Sequence, residues 1–239
     1  MHRTRSTPIW LVAGAVGLLL LAIGVRLSRE FKPLPPNPAP PPAGPLEAYF
    51  VWQPGNANLD PIILERERRV FDEMVGILRA NPDVFDAWMT LGATKKTIGD
   101  LTGAAAVWEQ VGVIRPNNSI SFNNLGDLYA NFLPDYPKAE AAYRTAIKNS
   151  AGEEKNYLFT LSLFELYRYR FMDPARALST LAEGIAANPG NVPLTLQVAR
   201  YAGEIGKREQ ALAHYRAAIK LLPQDGELAA EYRQFRDQR

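Results

Sequence analysis

The chain has 239 residues, of which 47% are hydrophobic, so it is long enough for one or two domains with a substantial core. Lysine and arginine number 27 against 25 aspartate and glutamate, and like charges form no runs, which argues against a nucleic-acid-binding stripe or an acidic tail. The absence of cysteine excludes disulfides, thiol catalysis and thiolate metal sites.

The first 27 residues predict a membrane anchor. A short stub with two arginines, residues 1–8, precedes seventeen uncharged residues, Ile9–Val25. As a helix this run covers about 26 Å, near the short end for a bilayer core, and Arg26 can snorkel to lengthen it. We therefore assign residues 9–27 as a transmembrane signal-anchor helix. A signal peptide cleaved after residue 24 is the alternative, and it would give a secreted protein.

The orientation of this anchor is not fixed by charge, because basic residues flank both of its ends. A short amino-terminal stub before a long soluble part favours a cytoplasmic stub. We therefore expect a single-pass protein of a cytoplasmic (inner) membrane whose remaining chain is on the extracytoplasmic side.

Residues 28–59 predict a linker that ends in a cap. Residues 33–45 contain eight prolines among thirteen, which favours polyproline II, a semi-rigid spacer. At roughly 3.1 Å per residue it spans about 40 Å. The aromatic cluster Tyr49–Trp52 follows, and we expect it to pack on the next helix; a contact with a partner is the alternative.

Residues 60–82 predict a single helix. Asp60 can cap its start, and Pro61 suits the first helical position. Apolar residues at helical spacing, including Met74 and Ile77, lie thirty-four positions before residues of the next segment. This helix therefore belongs to the pattern that follows.

The rest of the chain repeats a pattern of about thirty-four residues. In its first copy Trp88, Leu91 and Gly92 are followed by Ala104 and Trp108, and a proline closes the copy. This resembles the tetratricopeptide repeat (TPR) family, whose pattern is W-x2-L-G-x2-Y, then A-x3-F, then P, although Lys95 stands in place of the tyrosine. The signature residues across four copies are Trp88, Leu91, Gly92, Ala104, Trp108, Pro116, Leu125, Gly126, Tyr129, Ala139, Tyr143, Ala177, Pro189, Ala211, Tyr215 and Pro223.

The resemblance implies an all-α fold, a right-handed α-solenoid of helical hairpins preceded by one transmembrane helix and a proline-rich linker. The third copy is degenerate because Glu165 stands where a small residue is expected between the two helices. The expected units are a leading half-repeat at 60–82, TPR 1 at 83–118, TPR 2 at 119–152, TPR 3 at 153–190, TPR 4 at 191–224 and a capping helix at 225–239.

No catalytic or metal-binding constellation is present in the sequence. Its two histidines, His2 and His214, lie far apart, and no glycine-rich phosphate-binding loop occurs. We therefore expect no enzymatic activity and no cofactor.

By resemblance, TPR arrays bind a protein or peptide on the concave surface of their first helices. Family members that clamp a terminal carboxylate need a set of residues of which only Asn124 is in place here. The groove-facing residues that the resemblance assigns are Lys96, Asn123, Asn124, Asp127, Asn131, Phe159, Ser162, Tyr169, Arg200 and Glu204. The expected function is a membrane-tethered scaffold or adaptor in an envelope assembly or maturation process. A self-associating structural subunit is the alternative.

Overall fold

The computed structural model describes residues 46–56 and 58–238. The predicted anchor at 9–27 and most of the predicted linker lie outside these residues. Within the described part, no helix has the length and apolar character needed to cross a membrane. The same part contains ten α-helices and no strand: α1 (Pro61–Ala80), α2 (Phe85–Thr97), α3 (Leu101–Ile114), α4 (Ile120–Asn131), α5 (Tyr136–Asn149), α6 (Asn156–Leu166), α7 (Pro174–Ala187), α8 (Val192–Glu204), α9 (Arg208–Leu221) and α10 (Gly226–Asp237).

Helices α2 to α9 form four hairpins in a row. In each hairpin a first helix (α2, α4, α6 or α8) packs against the second helix that follows it. Each second helix also packs against the next first helix, and α1 and α10 close the two ends of the row. A large core therefore runs from the start of the array to one side of α8, and a second, smaller core joins α8, α9 and α10.

Aspartates fix where three of the second helices begin. Asp100, Asp135 and Asp173 each accept a hydrogen bond from a backbone N–H three residues later, which satisfies one of the free donors at a helix start. A proline follows in the first turn of α5 and of α7. The turns between the paired helices are therefore set locally.

Glycine lets the two helices touch in the first two hairpins. A Cβ atom on Gly92 would lie 2.2 Å from Nε1 of Trp108, and one on Gly126 would lie 2.4 Å from Cδ1 of Tyr143. Both aromatic rings are buried. Any side chain at these glycines must displace a ring that has nowhere to go.

The third hairpin shifts the predicted register by one residue. The backbone N–H of the capping aspartate bonds to the carbonyl of Lys95 in repeat 1, Tyr129 in repeat 2 and Tyr167 in repeat 3. Counting back from Tyr167 places Phe164, not Glu165, at the position of Gly92 and Gly126. Glu165 is exposed, so the expected conflict at that residue does not arise.

The backbone hydrogen bond of the capping aspartate spans six residues in repeats 2 and 3, against five in repeat 1, and in repeat 3 the longer connection contains a π-helical turn at Tyr167–Phe171. Phe164 is fully buried and packs edge-on against Tyr201, 5.1 Å away. The close contact between the paired helices moves to Gly184, where a Cβ atom would lie 2.5 Å from Cγ2 of Thr160. In this repeat the small residue is on the second helix.

The segment 46–56, here called the strap, packs on the start of the array. Its Tyr49 and Phe50 are buried against Trp88, and its Trp52 contacts Phe71 of α1. Backbone N–H groups of Gly55 and Asn56 donate to the carbonyl of Ile98. The strap thus covers α1 together with α2, whereas α1 alone was expected.

Lys95 holds the strap in place. Its ammonium group is buried and lies 2.7 Å from both the carbonyl oxygen of Val51 and Oδ2 of Asp100. In repeats 2 and 3 the corresponding residues are Tyr129 and Tyr167, whose hydroxyls donate to Glu109 and Glu140 of the preceding second helix. At the start of the array the strap replaces the first helix that would complete a hairpin with α1, and the long lysine side chain reaches it.

Helix α10 closes the other end. Asp225 caps it, and its apolar stripe, Leu228, Tyr232 and Phe235, packs against Tyr215 of α9 and its neighbours. The opposite side of α10 is polar and exposed. This ends the apolar core of the array.

Candidate functional site

The first helices share one accessible side, here called the first-helix face. Four register positions define it, because residues at spacings of three, four and seven lie on the same side of a helix. None of their side chains is fully buried. They are Asp86, Met89, Thr90 and Ala93 on α2; Ile120, Asn123, Asn124 and Asp127 on α4; Leu158, Leu161, Ser162 and Glu165 on α6; and Pro193, Leu196, Gln197 and Arg200 on α8.

A charged band at the carboxyl-terminal end of this face joins consecutive repeats; it includes Asp127 and Arg200 of the face and the residues that pair with them or with one another beyond it. Lys96 of α2 pairs with Asp127 of α4, and Asp127 also accepts a hydrogen bond from Asn131. Arg170 donates to Asn131 across a distance of 2.7 Å. The band continues with Arg168, which pairs with Glu204 of α8.

The band ends at α10, where Arg200 makes two hydrogen bonds of 2.8 Å to the carboxylate of Glu231. The hydroxyl of Tyr215 donates to the same carboxylate. Arg200 and Tyr215 lower the pKa of Glu231, although partial burial opposes them. Burial, followed by the bond to Glu231, raises the pKa of Tyr215 to about 12, so its hydroxyl remains a donor at neutral pH.

Apart from the exposed Asp86 of α2, the amino-terminal half of the face is an uncharged band of amide and apolar side chains. Ile120 and Leu158 occupy the same register position on neighbouring first helices and are 51% and 44% exposed, so they add apolar surface to this band. The side chains of Asn124 and Gln197 make no hydrogen bond with another described residue, and Oδ1 of Asn123 is shielded from water without a partner. This band therefore has bonding capacity that the fold leaves unused.

The predicted site residues divide between the two bands. The uncharged band holds Asn123, Asn124 and Ser162, whereas the charged band holds Lys96, Asp127, Asn131, Arg200 and Glu204, whose side chains are already paired within the fold. Tyr169 is exposed at the edge of the face, under the guanidinium of Arg168. Phe159 lies beside the face, at the register of the buried Ala87, Ser121 and Leu194.

Sequence reasoning did not assign Ile120 and Leu158 to the site. Ile120 could have been assigned from helical spacing, because it precedes Asn123 by three residues and Asn124 by four and so lies on the same side of α4. Leu158 was hidden by the register shift of the third repeat. The pairing of Arg200 could not be foreseen, because it depends on how α10 packs onto α9.

No cluster of three or more histidine, cysteine, aspartate or glutamate side chains that could hold a metal ion occurs among the described residues. His214 lies on α9, and burial lowers its pKa. It is not part of either band.

Comparison with known proteins informs the fold. No protein-family model and no curated protein sequence matches the chain. Among solved structures, the chain is similar to MamA, with a TM-score of 0.51 and 17% identity over 71% of this chain and 98% of MamA. Two further structures overlap less well. YrrB, described as a TPR protein with an unusual peptide-binding site, has a TM-score of 0.47 and 15% identity over 69% of this chain and 85% of YrrB. TTC0263, a thermophilic TPR protein in Thermus thermophilus, has a TM-score of 0.46 and 17% identity over 73% of this chain and 92% of its own.

Hairpins that recur with the TPR signature, together with the likeness to MamA, decide the fold class. The fold is a TPR-type helical repeat. The predicted all-α repeat architecture is confirmed at this level, and an identity of 17% carries the likeness to MamA no further than the fold.

Proposed function

We propose that this protein is a non-enzymatic TPR adaptor that binds a partner polypeptide along the uncharged band of the first-helix face. The observation that carries the proposal is the contrast between the two bands. In the charged band the side chains are paired with side chains of neighbouring repeats. The uncharged band instead presents amides and exposed aliphatic side chains without internal partners. Unused hydrogen-bonding groups beside apolar surface are what an extended peptide needs.

The bound segment would be extended and weakly charged. The amides of Asn123 and Asn124 can pair with its backbone, and its apolar side chains can cover Ile120 and Leu158. A strongly charged segment fits less well because the nearby ions are already neutralised within the fold. The paired charges beside the uncharged band would therefore contribute to specificity, by disfavouring strongly charged partners, more than to affinity for this segment.

The proposal includes a membrane tether formed by residues 9–27, which places the repeats on the extracytoplasmic side of a cytoplasmic membrane. Its support is the uncharged run Ile9–Val25 and the proline-rich segment after it. Such a protein would hold a partner near the membrane during an envelope assembly or maturation process.

The test is the double variant Asn123→Ala, Asn124→Ala. Wild-type protein captures its partner from membrane extracts, and the affinity for that partner is then compared with the affinity of the variant. Loss of two neutral hydrogen bonds predicts a decrease of about fivefold to 150-fold, from roughly 0.5–1.5 kcal/mol each. Thermal unfolding should change little, because these side chains make no hydrogen bond with another described residue.

The matched control is Asn117→Ala, Gln224→Ala, which removes two exposed loop amides. It should bind like the wild type. Undiminished binding by the Asn123, Asn124 variant would instead show that the partner is bound elsewhere on the molecule.

A further inference from the structure

A pocket of about 280 Å³ lies between α5, α6 and α7, on the side of the second helices. Its rim consists of exposed residues, among them Lys148 on α5 and Glu183 and Ala187 on α7. Its floor includes Thr160 and Leu163 of α6, which are buried. Since these floor residues belong to the packed side of α6, the pocket is separate from the first-helix face.

In the third repeat no aromatic residue fills the space beside the preceding second helix. Thr160 has the register of Trp88 and Phe122, each seven residues before Lys95 or Tyr129. In repeat 2 the ring of Phe122 fills the space beside the preceding second helix, where a Cβ on Gly112 would lie 3.0 Å from it. Threonine is too small to fill this space.

Two further features shape this space. Gly184 lets α7 pack closely against Thr160, so these two helices close the bottom of the pocket. On the opposite wall Ile147 is only partly buried, and the walls are mainly apolar with a polar rim. A small apolar hollow with a few polar groups at its edge fits a single aromatic side chain.

We propose that this pocket binds an aromatic side chain of a partner polypeptide. The array itself offers the precedent. At its amino-terminal end, the extended strap places Tyr49 and Phe50 against Trp88. Their ring centroids lie 5.5 Å and 5.9 Å, respectively, from that of Trp88. An extended segment that carries aromatic residues therefore packs on this kind of helical surface in the same molecule.

Charge at the rim refines the identity of the partner. Lys148 forms no ion pair with another described residue, and it lies in the last turn of α5. Glu183 lies on the other side of the rim, on α7, and would repel a carboxylate placed beside it. The structure therefore favours a segment in which an aspartate or glutamate lies on the α5 side of the aromatic residue, where it faces this ammonium group.

The test titrates the full chain with one of two synthetic tripeptide amides, acetyl-Asp-Trp-Gly or acetyl-Asp-Ala-Gly. Binding is measured through the backbone amide NMR signals of the protein. The tryptophan peptide should shift the signals of Thr180 and Gly184 saturably, with a dissociation constant on the order of 1–10 mM for so small a ligand. The alanine peptide should bind at least about tenfold more weakly. Lys148→Gln should weaken the tryptophan peptide by about twofold to fivefold.

Plugging the pocket provides the decisive variant. Ala187→Trp fills the rim and should abolish the saturable shifts, whereas Ala182→Trp, at an exposed position of α7 that does not line the pocket, should leave them unchanged. Thr160→Phe, which copies Phe122, serves as a second plug if the first unfolds. Equal shifts with both peptides, no saturable shift, or undiminished binding by a folded plugged variant would each overturn the proposal.

Discussion

Single residues in this array act through the space that they leave or fill. Gly126 leaves room for a buried tyrosine ring, whereas Gly76, on an exposed side of α1, has nothing within 4 Å of the position of a Cβ atom. Gly152 has a φ of +86°, so even a small side chain there is strained without any clash. The same residue type is thus required for space at Gly126 and for backbone conformation at Gly152, and for neither at Gly76.

Gly126→Ala should lower the free energy of unfolding by about 1–3 kcal/mol, because the new methyl group overlaps the ring of Tyr143. The control is Gly76→Ala, which should raise stability by roughly 0.5–1 kcal/mol, since alanine is the better helix former in open space. Urea unfolding of both variants measures the difference. Equal effects at the two positions would show that the helices of repeat 2 do not touch at Gly126.

Lys95→Met should destabilise the protein by roughly 3–5 kcal/mol, because it leaves the buried carboxylate of Asp100 and the carbonyl of Val51 without their ammonium partner. The strap should also become sensitive to protease. Lys96→Met is the matched control: its pair with Asp127 is much more exposed, so the cost should stay below about 1 kcal/mol. If the strap resists protease equally in both variants, Lys95 does not hold it.

At the scale of elements, the ends of the array differ in how they are fastened. The strap is held by burial of aromatic rings and a buried ion pair. Helix α10 combines a small apolar stripe with the partly exposed pair between Arg200 and Glu231. Arg200 was expected only to line the groove, but its contacts also give it a part in holding α10.

Attachment of α10 should therefore depend on pH. Arg200 and Tyr215 keep the pKa of Glu231 in the folded state below the ordinary value of 4.5. A carboxyl group with a lowered pKa stabilises the fold fully above its unfolded-state pKa, and this contribution disappears as the pH falls through the folded-state value. Hydrogen exchange in α10 should thus accelerate, beyond its intrinsic pH dependence, between about pH 5 and pH 3.

The variant Glu231→Gln should show weaker protection of α10 at neutral pH and lose this acid-dependent change. Glu227→Gln, on the exposed side of the same helix, should behave like the wild type. An unaltered acid response in Glu231→Gln would assign the effect to another carboxylate.

For the whole molecule, the first-helix face and the proposed anchor define how the protein would work. The charged band links every repeat to the next through side chains, so its residues hold the array together as well as bordering the site. The uncharged band is then the part of the face that can change without loss of structure. A tether would keep this surface at a fixed range from the membrane.

The full chain should stay in the membrane fraction after alkaline washing, because an inserted run of seventeen uncharged residues does not depend on surface charge. A chain that lacks residues 1–27 should be found in the soluble fraction. Recovery of a soluble product that begins near Val25 would instead establish a cleaved signal peptide.

The sequence by itself determined the repeat architecture. Four copies share an alanine that is followed four residues later by a large apolar or aromatic side chain, and the first two also share the glycine at which their helices touch. Capping residues such as Asp60 and Asp225 mark helix starts through local hydrogen bonds. These features depend on neighbours within about thirty-four residues. They could be read without knowledge of distant contacts.

The tertiary structure decided the register of the third repeat, the partners of the charged residues and the open pocket. Glu165 was expected at the close contact because the twelve-residue spacing of repeat 1 was applied to repeat 3, whose connection is one residue longer, as it also is in repeat 2. The contacts of Arg200 with Glu231 and of Lys95 with Val51 join separate elements that become neighbours only in the tertiary structure. Helical periodicity fixes which side of a helix a residue occupies, but the packing of neighbouring helices decides which side chains are paired and which remain free for a partner.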